Sequence, residues 1–102
     1  MNRSEYLLTC LAEEANEVGQ GVAKALRFGL AETEPGQPSS NAERVVAEVS
    51  DLLGVYLILR DEGVLPPIDF RPQSLSEIKS RKLEKIEHFM QFSIEREALQ
   101  ES

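Results

Sequence analysis

Three local signals divide this chain into helices. Asn2 stands three residues before Glu5, Ser40 before Glu43, and Ser74 before Glu77. A polar side chain so placed accepts from an orphan backbone N–H at a helix start, while the glutamate reaches back to the cap, a reciprocal capping box. Behind each signal, apolar residues recur every three or four positions, the period of one helix face. The breaks are equally local. Residues 31–40 hold Pro35, Gly36, Pro38 and two serines, and residues 64–73 hold Pro66, Pro67 and Pro72. Both stretches read as loops or extended connectors. The expectation is an all-α bundle of three long helices. They run from about residue 4 to 28, from Ser40 to about 62, and from Ser74 to at least residue 90 and on into the 90s. Gly29 and Gly63 are the expected stops, and Gln100, Glu101 and Ser102 should fray.

With 102 residues, the chain has the length of one small domain. Leu8, Leu11, Ala15, Val18, Val22 and Ala25 form the inward stripe of the first helix. Val45, Val49, Leu52, Val55, Tyr56 and Leu59 form that of the second. From Val49 onward the second helix is apolar on most sides, which predicts the central buried segment. A hydrophobic content of 41% supports only a thin core, so oligomerisation is expected to bury more. The net charge of −7 speaks against a nucleic-acid polymer or an anionic membrane as partner. No apolar run approaches the roughly 20 residues of a membrane span, and Met1 to Glu5 lack a signal-peptide core. Cys10 is the single cysteine, which excludes an intrachain disulfide, speaks against a thiolate zinc site and fits a reducing cytoplasm.

The chemistry is carried by two acidic groups on successive helices, Glu13-Glu14-Ala15-Asn16-Glu17 and Glu48-Val49-Ser50-Asp51. Carboxylates three or four residues apart share a helix face and repel each other. Glu14 and Glu17 lie about 60° apart around the helix, at the border of the apolar stripe, with Cys10, Gly21 and Lys24 in the same sector. Glu48 and Asp51 hold the matching position on the second helix, with Arg44 one turn before Glu48. One such group alone is most often a solvated face. Two in register on helices joined by one loop can meet if the helices pack antiparallel. A hard divalent cation would then remove the cost of gathering them, and Mg²⁺, with Mn²⁺ able to substitute, is the natural candidate.

Cations complete the pattern. Leu75, Ile78, Phe89 and Phe92 mark a stripe on the third helix, yet Lys82 and Lys85 fall within it, flanked by Lys79 and Arg81. Lysines in such positions commonly snorkel to the surface. Beside a metal site, Arg81, Lys82 and Lys85 are candidate phosphate contacts. Lys24 and Arg27 are similar candidates, or else complement the C-terminal end of the first helix. His88 reads as a surface residue. Phe28 reads as core or as a stacking platform.

The order and spacing of EExxE and then ExxD, through Glu13 to Glu17 and Glu48 to Asp51, resembles the MazG-like all-α nucleoside triphosphate pyrophosphohydrolases. Residues 24–30 and 82–90 look similar to short members, and the likeness covers most of the chain. The resemblance implies a bundle completed as a dimer or tetramer. It also implies Mg²⁺ held by Glu14, Glu17, Glu48 and Asp51, with Glu13 behind them or orienting a water. On that reading, a nucleoside triphosphate is cleaved to the monophosphate and pyrophosphate. Glu13 or Glu17 would accept a proton, and Lys24, Arg81, Lys82 and Lys85 would meet the phosphates. The segment between Glu17 and Glu48 is at the long end for the family. The alternative is a non-catalytic helical module that binds a metal, a nucleotide or another protein.

Overall fold

The computed structural model describes residues 1–95. Among them are three helices and no strand: α1 (Arg3–Phe28), α2 (Asn41–Asp61) and α3 (Pro72–Glu95). No helix is long and apolar enough to cross a membrane. The chain divides into two compact units, Met1–Pro67 and the part from Ile68 onward. The expected fraying of Gln100 to Ser102 lies outside the described residues.

The first unit is a helical hairpin. Asn2 caps α1 in a complete box: its side-chain oxygen accepts from the Glu5 N–H at 2.9 Å, and its own N–H donates to Glu5 Oε1 at 3.3 Å. Ser40 caps α2 in the same way with Glu43. The Ser40 backbone N–H is the main influence holding the Glu43 carboxyl below the ordinary glutamate range, and the Ser40 hydroxyl adds to it. α1 stops at Gly29, whose φ of +98° lies where L side chains are strained. α2 ends in a Schellman turn. The N–H of Val64 donates to the Leu59 carbonyl at 2.9 Å and that of Gly63 to Arg60 at 3.0 Å, with Gly63 at φ +74°.

α1 and α2 pack antiparallel. At one end Arg3 makes two hydrogen bonds to the Glu62 carboxylate, at 2.9 and 2.8 Å. At the other end Asn41 Nδ2 donates to the Gly29 carbonyl at 2.9 Å, and the N–H groups of Asn41 and Ala42 reach Glu32 and Leu30. The Arg3–Glu62 pair is open to solvent, where screening and side-chain entropy leave an ion pair little net stabilisation. The Asn41 amide is buried, so its hydrogen bond is required. Tyr56 Oη donates to the Pro66 carbonyl and holds the outgoing chain against α2.

The core is thinner than the apolar pattern predicts. Leu59 (0% exposed) and Ala25 (3%) are its fully buried apolar residues. Val45, Leu52, Val55 and Tyr56 are half-buried, and Val49 is exposed. The second half of α2 is therefore not enclosed. Its apolar residues spread around the helix, whereas packing against α1 covers one strip of it.

The second unit carries α3, none of whose described residues is buried. The helix begins two residues before Ser74, not at a Ser74–Glu77 box. The first intrahelical bond runs from the Leu75 N–H to the Arg71 carbonyl at 3.0 Å, which puts Pro72 at the first helical position. Proline is favoured there because its missing N–H would have had no partner and its φ suits the helix. Ser74 instead donates its hydroxyl to Asp69 Oδ2 at 2.8 Å. The same carboxylate accepts from the Arg71 backbone N–H at 3.0 Å and from its guanidinium. The Arg71 side chain, then its backbone N–H, then Ser74 hold the Asp69 carboxyl down at about 2.

Two outcomes follow. Leu59→Ala should cost about 2–5 kcal/mol through transfer and cavity terms. Ser40→Ala should cost about 1 kcal/mol through the lost cap. Urea titrations followed by circular dichroism should give that order, and a reversed order would contradict the placement of the core at Leu59. A depressed Asp69 adds stability above its ordinary value near 3.8 and loses it as pH falls towards about 2. NMR titration of the Asp69 carboxyl should therefore give a midpoint well below 3.8, moving back up in Arg71→Ala.

Candidate metal centre

Helical spacing and the hairpin register build this site together. Glu14 projects from the middle of α1, and Glu48 and Asp51 from one turn of α2. One carboxylate oxygen from each of these three residues lies within 4.8 Å of the others. Glu14 and Glu48 are half-buried and Asp51 is exposed. None of the three is paired with a lysine or arginine among the described residues. Partial burial is the largest influence raising the Glu14 pKa above the ordinary glutamate value, followed by the charges of Asp51, Glu48, Glu17 and Glu13.

Glu17 stands one turn beyond Glu14 and is not part of this three-oxygen cluster. It is exposed and lines an adjoining hollow of about 30 Å³ with Gln20, Gly21, Lys24, Arg44 and Glu48. Glu13 is exposed, and its charge reaches Glu14 through the local field. Lys24 and Arg44 face this hollow from opposite helices. Arg44 is also ion-paired with Glu34 in the 29–40 connection. A Cβ added at Gly21 would meet Val45 Cγ2 at 3.7 Å and Glu48 Cγ at 3.8 Å, which is ordinary contact.

The remaining candidates belong to the second unit. Arg81, Lys82 and Lys85 are exposed on α3. Arg81 and Lys85 line a shallow hollow with Glu84, His88 and Phe89. The rings of His88 and Phe89 meet edge to face at 5.6 Å. Arg44 is the residue whose place sequence reasoning underused. Its position four residues before Glu48 marks it as a neighbour of the acidic group, but the spacing does not reveal Lys24 across the hairpin.

The donor set fits a hard divalent cation. Three anionic oxygens offer the ligand type that Mg²⁺ and Mn²⁺ take. The three oxygens lie within 4.8 Å of one another, near enough for side-chain adjustment to bring them around one ion. Exposed Asp51 leaves the cluster open to water on one side.

The electrostatics set an expected outcome. Because the folded chain holds the Glu14 proton more tightly than the unfolded chain, stability falls as pH rises from the ordinary glutamate value through the raised one. At neutral pH and without divalent ions, Asp51→Asn should therefore raise the melting temperature. Millimolar Mg²⁺ should raise that of the unsubstituted chain and have little effect on Asp51→Asn. Equal responses of the two proteins to Mg²⁺ would remove Asp51 from the cation site. No family model, curated protein or solved structure matches this chain.

Proposed function

We propose that this chain is a Mg²⁺-dependent nucleoside triphosphate pyrophosphohydrolase of the MazG-like kind, acting as a homo-oligomer in the cytoplasmic nucleotide pool. One observation carries the reading: a carboxylate of the EExxE helix converges with both carboxylates of the ExxD helix, within 4.8 Å and without a compensating cation among the described residues. The resemblance in order and spacing of the two motifs supports the same assignment. Association is supported by the large apolar side chains the helices leave exposed, Leu26, Val46 and Phe89 among them.

Glu14, Glu48 and Asp51 would hold the cation. Bound there, Mg²⁺ supplies positive charge against the phosphate oxygens. The protein's own groups do the rest. Glu17, exposed beside the cluster, takes through a carboxylate oxygen the proton of a water attacking the α-phosphorus, with Glu13 the alternative acceptor. The Lys24 ammonium, facing the same hollow, meets negative charge on the departing pyrophosphate. Product is a nucleoside monophosphate and pyrophosphate.

Glu48→Gln and Asp51→Asn keep size and helix propensity while removing one negative ligand each. Each should lower Mg²⁺-dependent pyrophosphate release by about a hundredfold or more, the several kcal/mol expected of a catalytic cation. Release measured over a panel of ordinary and modified nucleoside triphosphates tests this. Full turnover in both folded variants would overturn the reading, and so would a silent panel with the unsubstituted chain.

A further inference from the structure

A second hollow, of about 420 Å³, lies at the loop end of the hairpin. Its size falls within the range of small-molecule sites. Lys24, Phe28, Glu32, Thr33, Pro35 and Asn41 line it. It shares Lys24 and Asn41 with the small hollow beside Glu17 and Glu48, so the two are neighbours along the hairpin. Seven residues separate Glu17 from Lys24, about 10 Å of helix. That is the scale on which the base of a nucleotide stands off from its phosphates.

The lining has one aromatic face and few uncommitted polar groups. Phe28 is 60% exposed, and the Arg27 guanidinium lies over its ring at 5.6 Å from the centroid, a cation–π contact. Glu34 is held by Arg44, and the Asn41 amide by the Gly29 carbonyl. The Glu32 carboxylate, by contrast, has no hydrogen-bond or ion-pair partner among the described residues. Its backbone is fixed on both sides: its N–H donates to Gly29 at 3.3 Å and its carbonyl accepts from Asn41 at 2.8 Å. A positioned carboxylate accepts hydrogen bonds and gives none. It therefore asks for a ligand edge that donates.

We propose that this hollow is a nucleobase subsite in which the base stacks on Phe28 and donates an exocyclic amino group to Glu32. Adenine, cytosine and guanine carry such a group, whereas uracil and thymine present a carbonyl where cytosine has its amino group. The subsite rests on the nucleotide reading above and supplies what that reading lacks, a class of base.

The test uses the full chain with AMP, CMP, GMP, UMP and inorganic tripolyphosphate as probes, in ¹⁵N-resolved titrations read at Gly29, Thr33 and Gly36 and in calorimetry. The three amino-bearing monophosphates should perturb these amides and bind about tenfold more tightly than UMP. Phe28→Ala should weaken them about tenfold, in the range of one lost base stack. Glu32→Gln, whose amide both donates and accepts, should bring UMP level with CMP, and it provides a second reading should Phe28→Ala misfold. Tripolyphosphate should leave Thr33 and Gly36 unmoved. Base-independent binding, or unchanged selectivity in Glu32→Gln, overturns the subsite. Pyrophosphate assays of the same proteins with the corresponding nucleoside triphosphates separate the two claims. Release that ignores the base leaves the hydrolase standing without the subsite. Base-selective binding with no release leaves the subsite standing without the hydrolase.

Discussion

The hairpin depends on one buried amide. Asn41 opens α2, is 4% exposed, and gives its side-chain N–H to the carbonyl of Gly29, where α1 ends. Its backbone N–H and that of Ala42 reach back into the same connection. Left unsatisfied, the buried amide would cost about 1–3 kcal/mol, so the end of one helix and the start of the next are fixed as a pair. That pairing sets the register of α1 against α2. A slip of one helical turn displaces a side chain by about 5.4 Å, more than the 4.8 Å that spans the Glu14, Glu48 and Asp51 oxygens. The convergence of the carboxylates thus leans on a hydrogen bond made about two turns away, where Asn41 meets the end of α1.

Charge is distributed to the same effect. Arg3, Arg44, Arg60 and Arg71 each hold an acid outside the cluster, namely Glu62, Glu34, Asp61 and Asp69. Among the described residues no lysine or arginine is ion-paired with Glu14, Glu48 or Asp51. The hairpin therefore keeps a local surplus of negative charge beside half-buried surface, where burial and then the neighbouring carboxylates make Glu14 easier to protonate. Lys24 stands at the edge of that surplus, positioned to meet an anion arriving with a counter-ion of its own.

What the sequence made legible follows from how local each signal is. The Asn2–Glu5 and Ser40–Glu43 boxes involve residues three apart, and both helix starts were readable. Ser74–Glu77 has the same spacing, yet Asp69 and Arg71 lie upstream and capture the serine hydroxyl, while Pro72 starts the helix earlier. Periodicity named the faces that turn inward but not how much surface would cover them, which is why Leu59 is enclosed and Val49 is not. Helix phase put Glu14 and Glu17 in one sector. It could not tell which of them joins Glu48 and Asp51 in the three-oxygen cluster, because that depends on the register of α1 against α2.

Gly21 carries a different kind of consequence. A methyl group there would sit at ordinary contact distance from Val45 and Glu48, so nothing in the packing demands glycine. Within a helix, glycine is about 1 kcal/mol worse than alanine. Laboratory selection for heat resistance alone would therefore favour alanine at this position, closing the notch beside Glu48. Selection for whatever enters that notch would bring glycine back. The preference at one position, under two different selections, is a record of which property the hairpin was shaped to keep.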